Sequence, residues 1–426
     1  MTARFTSSPP GQAGFGPFQW TSGLVFIAGA LTAWKLELVG LLFVGELALA
    51  LVAAWAIAAN IANSRFWDRG LVLALVCLGV TLLGYVLADL INRTGSSNLL
   101  RGWARIGFLA TDIIAIHYLC RKKTLNLLML CLGLSAGLVL TVSATDLVKD
   151  YKLVLALPIT LTALCFGTLL NGRARYLVVS FALTGVGILH VLMDYRSLGA
   201  VCLLSGAIVF AKTTERSRLR GLCALLYFAI LLTGAVTFFY SYTITSSAYV
   251  QRRQTSDSWR LASAAAALDA IRRAPFLGYG SWATNSRVSS MFDASFAEVS
   301  GHRQPVRGKL DMPGHSQFLQ AWYEAGILGL AFFVYFTYSL FRTLWICVFR
   351  MRLDPLIPLA IFYSWISLYN VAFSPFAGEH RLHLAISVAI AAKVSSDWNA
   401  FSRAGNRIAD IWNQGFSVHF NAAVRS

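Results

Sequence analysis

Three residues of this chain have side chains and neighbours suited to chemistry on an anionic substrate. His315, in Pro313-Gly314-His315-Ser316-Gln317, stands at the expected start of a helix. The positive end of a helix dipole disfavours the imidazolium there, which leaves a neutral ring able to act as a general base. Arg260, in Ser258-Trp259-Arg260-Leu261, and Arg196, in Asp194-Tyr195-Arg196-Ser197, each present a planar fork of donors. Such a fork grips phosphate oxygens bidentately and stays charged at any relevant pH. Each residue also has a plainer reading: a structural histidine, a solvated arginine, and an Arg196-Asp194 pair or interfacial anchor. Arg252 and Arg272, each beside a second arginine (Arg253 and Arg273), join the set as candidate anion-binding cations, against an alternative as solvated or headgroup-facing charge.

The motifs that are missing narrow the chemistry. The stretch from Ser241 to Pro313 holds no Asp-x-Asp or Asp-x-x-Asp pair, no His-Glu-x-x-His, no phosphate-binding glycine loop and no Gly-x-Ser-x-Gly. Metal-dependent sugar transfer and serine hydrolysis therefore have no anchor, and no metal or cofactor is expected. Charge on a leaving group falls to arginine to neutralise.

These residues must be positioned by a chain that otherwise reads as membrane. Of its 426 residues 57% are hydrophobic and 13% charged, with mean hydropathy +0.62, whereas soluble domains carry about 25% charge. The net charge of +17 sits mostly in short clusters between apolar spans, as the positive-inside bias predicts, and argues against a nucleic-acid partner. None of the seven cysteines lies in the 241–313 stretch, which excludes a disulfide framework or zinc site there. The N-terminus lacks signal-peptide features, so the first span is expected to be retained.

Apolar stretches near 20–34, 37–61, 71–91, 103–119, 125–145, 153–170, 177–193, 197–212, 221–241, 327–347, 355–373 and 377–394 predict about twelve transmembrane helices in an all-α polytopic protein. With the N-terminus in the cytoplasm, Arg65 and Arg69, Arg121 to Lys123, Arg173 and Arg175, Lys212 to Arg220, and Arg350 and Arg352 all fall inside. The expected division is a flexible cytoplasmic lead (1–19), nine spans (20–241), a large outer loop (242–326), three spans (327–394) and a cytoplasmic tail (395–426). The tail's Arg403, Arg407 and Arg425 would face anionic membrane lipid. Within the loop a helix is expected from Ser256, as N-cap, to Arg273, with Asp257 in its first turn and Pro275 beyond. A second helix follows Gly314, with Phe318, Leu319 and Trp322 on one side, Gln317, Gln320 and Glu324 on another, and a break at Gly326.

Several of these segments, taken in order, resemble the O-antigen ligase and polymerase superfamily. They are Trp259-Arg260-Leu261 through Leu268-Asp269-Ala270-Ile271, Pro275-Phe276-Leu277-Gly278-Tyr279-Gly280, and Gly314-His315-Ser316-Gln317-Phe318-Leu319-Gln320 leading to Glu324-Ala325-Gly326. Arg196-Ser197-Leu198-Gly199-Ala200 is similar to a further motif of that family, and Ser316 stands where asparagine is usual. The resemblance implies a GT-C-like, metal-independent, inverting glycosyltransferase in the bacterial inner membrane, with its site facing the periplasm and both termini in the cytoplasm. Its donor would be an undecaprenyl-diphosphate-linked glycan and its acceptor lipid A-core. Carried over by position, Arg196 and Arg260 would hold the diphosphate, and His315 would deprotonate the acceptor hydroxyl. The nearest alternative is the polymerase branch of the same superfamily. From a different class comes an anionic-lipid transporter, for which Glu46, Asp89, Arg105 and Asp112 would be the pathway charges, although the sequence shows no pairing among them.

Overall fold

A backbone surrounded by lipid must satisfy its own hydrogen bonds, and long apolar segments meet that demand as helices. The computed structural model describes residues 20–37, 41–64, 66–141, 151, 155–213, 234, 247–283, 286–300, 314–351, 353–376 and 378–423, and these are predominantly helical. The helices run α1 (Trp20–Leu31), α2 (Val44–Asn60), α3 (Arg69–Asn92), α4 (Ser96–Cys120), α5 (Thr124–Leu140), α6 (Ala156–Thr168), α7 (Gly172–Leu192), α8 (Arg196–Ala211), α9 (Ser247–Arg273), α10 (Ser286–Ser300), α11 (Gln317–Gly329), α12 (Ala331–Trp345), α13 (Leu356–Phe373) and α14 (Gly378–Ala423). Among the described residues four segments are long and apolar enough to cross a membrane: Arg69–Asn92, Gly172–Leu192, Ala331–Arg350 and Leu356–Phe373. The helices α1, α2, α5, α6 and α8 are apolar but shorter. The expected span at 221–241 lies outside the described residues.

Small residues let neighbouring helices touch backbone to backbone. On α5, Gly133 and Gly137 are four apart and lie against the carbonyls of Phe26 and Ala30 on α1, where any side chain would collide. The core continues through α3, α4, α11, α12, α13 and α14, with Phe332, Phe333, Phe336 and Phe362 fully buried.

The structure corrects three expectations. The second apolar segment becomes helical only at Val44, because residues 35–37 and 41–43 pair as a short antiparallel hairpin, β1 and β2, in register Lys35–Phe43. Glu46 accepts the Phe43 amide at 3.2 Å and fixes the start of α2. The loop helix α9 begins at Ser247, so Ser256 is no cap and Asp257 lies well inside. Residues 248–256 contain neither glycine nor proline, and nothing halts the helix upstream. Likewise α14 runs through the expected span end at 394 to Ala423, over a stretch free of proline.

Loop helices α9 and α10 share a small core of their own with α11. Ala262, Ala266 and Ala270 let α9 lie close to Val288, Phe292 and Phe296 of α10 and Tyr323 of α11. Trp259 packs against both phenylalanines, with ring centroids 5.2 and 5.5 Å away. Burying an apolar side chain of this size contributes roughly 1.5–3 kcal/mol where water is the alternative. That packing orients the opposite side of α9.

Candidate functional site

His315 owes its place to the start of α11. Ser316 is the N-cap: its Oγ accepts the Leu319 amide at 3.2 Å and donates to the Val371 carbonyl of α13 at 3.0 Å. This is the work done by the serine that stands where asparagine is usual. It ties the helix start to a neighbouring helix and sets His315 one position before the cap, beyond the N-terminus of α11, where the sequence reading had it opening the helix.

A cavity of about 580 Å³ opens beside it. Asp257, Arg260, Leu261, Ser263, Ala264 and Ala267 of α9 form one wall. Gly314, His315 and Ser316 lie at the entry to α11, Leu319 and Tyr323 follow on that helix, and Ala372 and Phe373 close the cavity from the end of α13. Arg260 and His315, far apart in sequence, therefore face one space. Arg260 is exposed and makes no ion pair among the described residues. Most of the remaining lining is alanine, leucine and phenylalanine, so the space offers a few charged groups and a largely apolar surface.

The other candidate arginines are placed differently. Arg196 begins α8 and pairs with Asp194 at 3.0 Å, as its plainer reading foresaw. Asp194 holds a left-handed conformation, φ 60°, in the turn after α7, which an aspartate tolerates. Arg196 is not part of the cavity lining, but Asp257, which is, lies within its electrostatic reach. Arg272 is exposed and away from the cavity, and the side chain of Arg252 falls outside the described residues. At the end of α9, Arg273 pairs with Asp269 at 2.9 Å, the surface pair expected one helical turn apart.

Behind the cavity, the sequence segments lock together through backbone contacts. The turn that follows Pro275 lies against α11, where Tyr279 and Gly280 donate their amides to the carbonyls of Tyr323 and Glu324 at 2.8 and 2.9 Å. Gly326 interrupts α11 at φ 65°, ψ −161°, a conformation almost confined to glycine, and a side chain there would strike the Phe276 carbonyl. Gly278, at φ 66°, is likewise pressed on the backbone of Glu324. Trp322 adds a hydrogen bond from Nε1 to the Pro275 carbonyl at 3.0 Å.

Glu324 is the centre of a buried polar network. Its carboxylate meets Arg105 Nη2 at 2.6 Å, accepts from the Tyr85 hydroxyl at 2.7 Å and accepts from Gln320 Nε2 at 2.8 Å. Arg105 Nη1 donates to the Phe376 carbonyl at 2.8 Å, and the Phe376 amide donates to Gln320 Oε1 at 2.8 Å. Of the four charges that looked unpaired in the sequence, Glu46, Asp89 and Arg105 find partners, and Asp112 has no hydrogen bond among the described residues. Besides Arg105 with Glu324, Glu46 grips Arg381 at 2.6 Å through both carboxylate oxygens, and Asp89 accepts from the Ser281 amide, the Ser281 hydroxyl and Trp103. Asp112 is buried within the electrostatic reach of the Glu46–Arg381 pair. Among the described residues no group of three His, Cys, Asp or Glu is set to hold a metal ion.

Two cavity residues escaped the sequence reading. Asp257 and Ser263 stand three residues either side of Arg260, a spacing that puts all three on neighbouring turns of one helix face. The signal was available, but Asp257 was read as a first-turn charge and Ser263 was hidden in an alanine run. Comparison with known proteins finds no match among curated proteins and none among solved structures. Residues 158–334, which carry Arg196, Arg260 and His315, match the family model described as O-antigen ligase, and this part of the chain is similar to that family.

Proposed function

We propose that the protein is an O-antigen ligase, transferring a glycan from undecaprenyl diphosphate to a sugar hydroxyl of lipid A-core. In this reading the chain crosses the bacterial inner membrane about twelve times in a GT-C-like arrangement. Both termini lie in the cytoplasm, and the loop of residues 242–326 lies in the periplasm, where neither ATP nor sugar nucleotide is present. The lipid-linked donor brings its own leaving group.

The observation that carries the proposal is the shared cavity of Arg260 and His315. A guanidinium on one wall offers bidentate donors to a diphosphate, and an imidazole on another can take a proton. His315 removes the hydrogen of the acceptor hydroxyl as its oxygen attacks the anomeric carbon. The bond from that carbon to the diphosphate oxygen breaks, the negative charge passes to the diphosphate, and the configuration inverts. Arg260 stabilises that charge. Arg196 supports it from the start of α8, within electrostatic reach of Asp257, which lines the same cavity as Arg260. The apolar lining of Leu261, Ala264 and Ala267, with Leu319 and Phe373, suits the isoprenoid chain.

Purified protein in lipid nanodiscs, given the lipid-linked glycan with and without lipid A-core, tests the reading. The expected product is glycan on lipid A-core, formed only when that acceptor is present. Longer glycan on the isoprenoid carrier would assign the protein to the polymerase branch, and no product of either kind would overturn glycan transfer.

A further inference from the structure

Serines and threonines inside helices commonly return their hydroxyl to the carbonyl one turn back, and this protein follows the habit. Ser135 donates to the Cys131 carbonyl at 2.9 Å, Thr160 to Ala156 at 2.9 Å, Thr343 to Ser339 at 2.8 Å and Ser387 to His383 at 2.8 Å. Ser263 on α9 does not: it is 2% exposed, and its Oγ has no hydrogen-bond partner among the described residues. Among the described residues two other buried serine or threonine hydroxyls, Ser205 and Thr337, share that condition, but Ser263 differs from them in lining the cavity.

A hydroxyl withdrawn from water without a partner is destabilising, and alanine would remove the penalty. Around it the chain uses alanine freely, in Ala262-Ser263-Ala264-Ala265-Ala266-Ala267. We infer that Ser263 is a further ligand-contacting residue of the cavity, whose hydroxyl donates to a phosphate oxygen of an isoprenoid diphosphate. The inference rests on the donor reading above and adds a residue to it.

Phosphate is favoured over a sugar oxygen by what flanks the serine. Along the α9 wall the lining passes from Asp257 and Arg260, through Leu261 and Ser263, to Ala264 and Ala267 within about 15 Å, and Ser263 is its last polar residue. Ser263 therefore stands where the charged part of the wall gives way to the apolar part. That is where a diphosphate joined to a hydrocarbon chain places its anionic oxygens, and a hydroxyl bonded to an anion is stronger than one bonded to a neutral oxygen.

The test measures binding of undecaprenyl diphosphate and of undecaprenol to wild-type protein and to Ser263→Ala in nanodiscs, with thermal stability measured on the same samples without lipid ligand. The expected result is roughly tenfold weaker binding of the diphosphate by the variant, unchanged binding of undecaprenol, and a melting temperature equal to or above wild type. Undiminished diphosphate binding would overturn the assignment. So would a lower melting temperature, since the hydroxyl would then be bonded within the free protein. Equal binding of both lipids by the wild type would instead overturn the donor reading itself.

Discussion

The polar groups behind α11 and those on the cavity wall are partnered in opposite ways. Behind α11, Arg105 and Glu324 are each 1% exposed, and Tyr85, Gln320 and the Phe376 backbone take up most of the valences that their ion pair leaves. On the wall, Arg260 is exposed without an ion pair among the described residues, and Ser263 is buried without a hydrogen bond. Both regions use arginine, and both meet on α11, where Tyr323 lines the cavity and Glu324, the next residue, enters the network. The network, in which Arg105 Nε alone of the guanidinium nitrogens lacks a hydrogen bond, fixes the position of a helix, whereas groups left unsatisfied at a cavity are available to a ligand. An arginine's partners therefore say more about its role than its presence in a loop or a span.

The comparison breaks first if the network is not structural. Glu324→Ala leaves the Arg105 guanidinium buried without its carboxylate, and a destabilisation of about 3–5 kcal/mol is expected. It would be read as a large drop in melting temperature of the purified protein, and a change within about 0.5 kcal/mol would show that the pair does not hold α11 in place. The wall should behave in the reverse manner. Arg260→Ala is expected to slow transfer by about 10²–10³-fold, equivalent to roughly 3–4 kcal/mol in the barrier, with the melting temperature unchanged. Arg260→Lys should not restore the rate, because an ammonium cannot reproduce the bidentate fork. Transfer rates and melting curves on the same preparations would separate the two arginines.

The join between the regions gives a third test. Gly326→Ala forces a side chain into a glycine conformation and against the Phe276 carbonyl, at an expected cost of about 1–3 kcal/mol in stability, and more if the turn after Pro275 is displaced. The smallest effect is expected at Arg272, which is exposed and off the cavity. Arg272→Ala should alter stability by no more than about 0.5 kcal/mol and leave transfer unchanged. A substantial loss of donor binding in that variant would return the paired arginines to the substrate site.

Local signals made much of this arrangement legible. The break at Gly326 and a histidine close to the start of α11 were recognisable from residue type and spacing, because each depends on short-range backbone chemistry, and the glycine turn after Pro275 was carried by the family resemblance. Pairing across long separations was not. Arg105 with Glu324 and Glu46 with Arg381 join helices remote in sequence, and no local pattern announces such a partner. Helix limits failed for a related reason. Ser256 has the chemistry of an N-cap, but a chain without glycine or proline upstream keeps its helix through that position. The cavity role of Asp257 depended on that same correction, since a first-turn charge and a mid-helix charge face different neighbours.

In the proposed reaction His315 and Arg260 divide catalysis and donor binding across one cavity. The most direct measurement compares wild type and His315→Ala in reconstituted transfer with lipid-linked glycan, lipid A-core and a metal chelator, alongside donor binding. The account predicts chelator-resistant product from the wild type and none from the variant, with donor affinity nearly intact. Transfer by His315→Ala at the wild-type rate would contradict it.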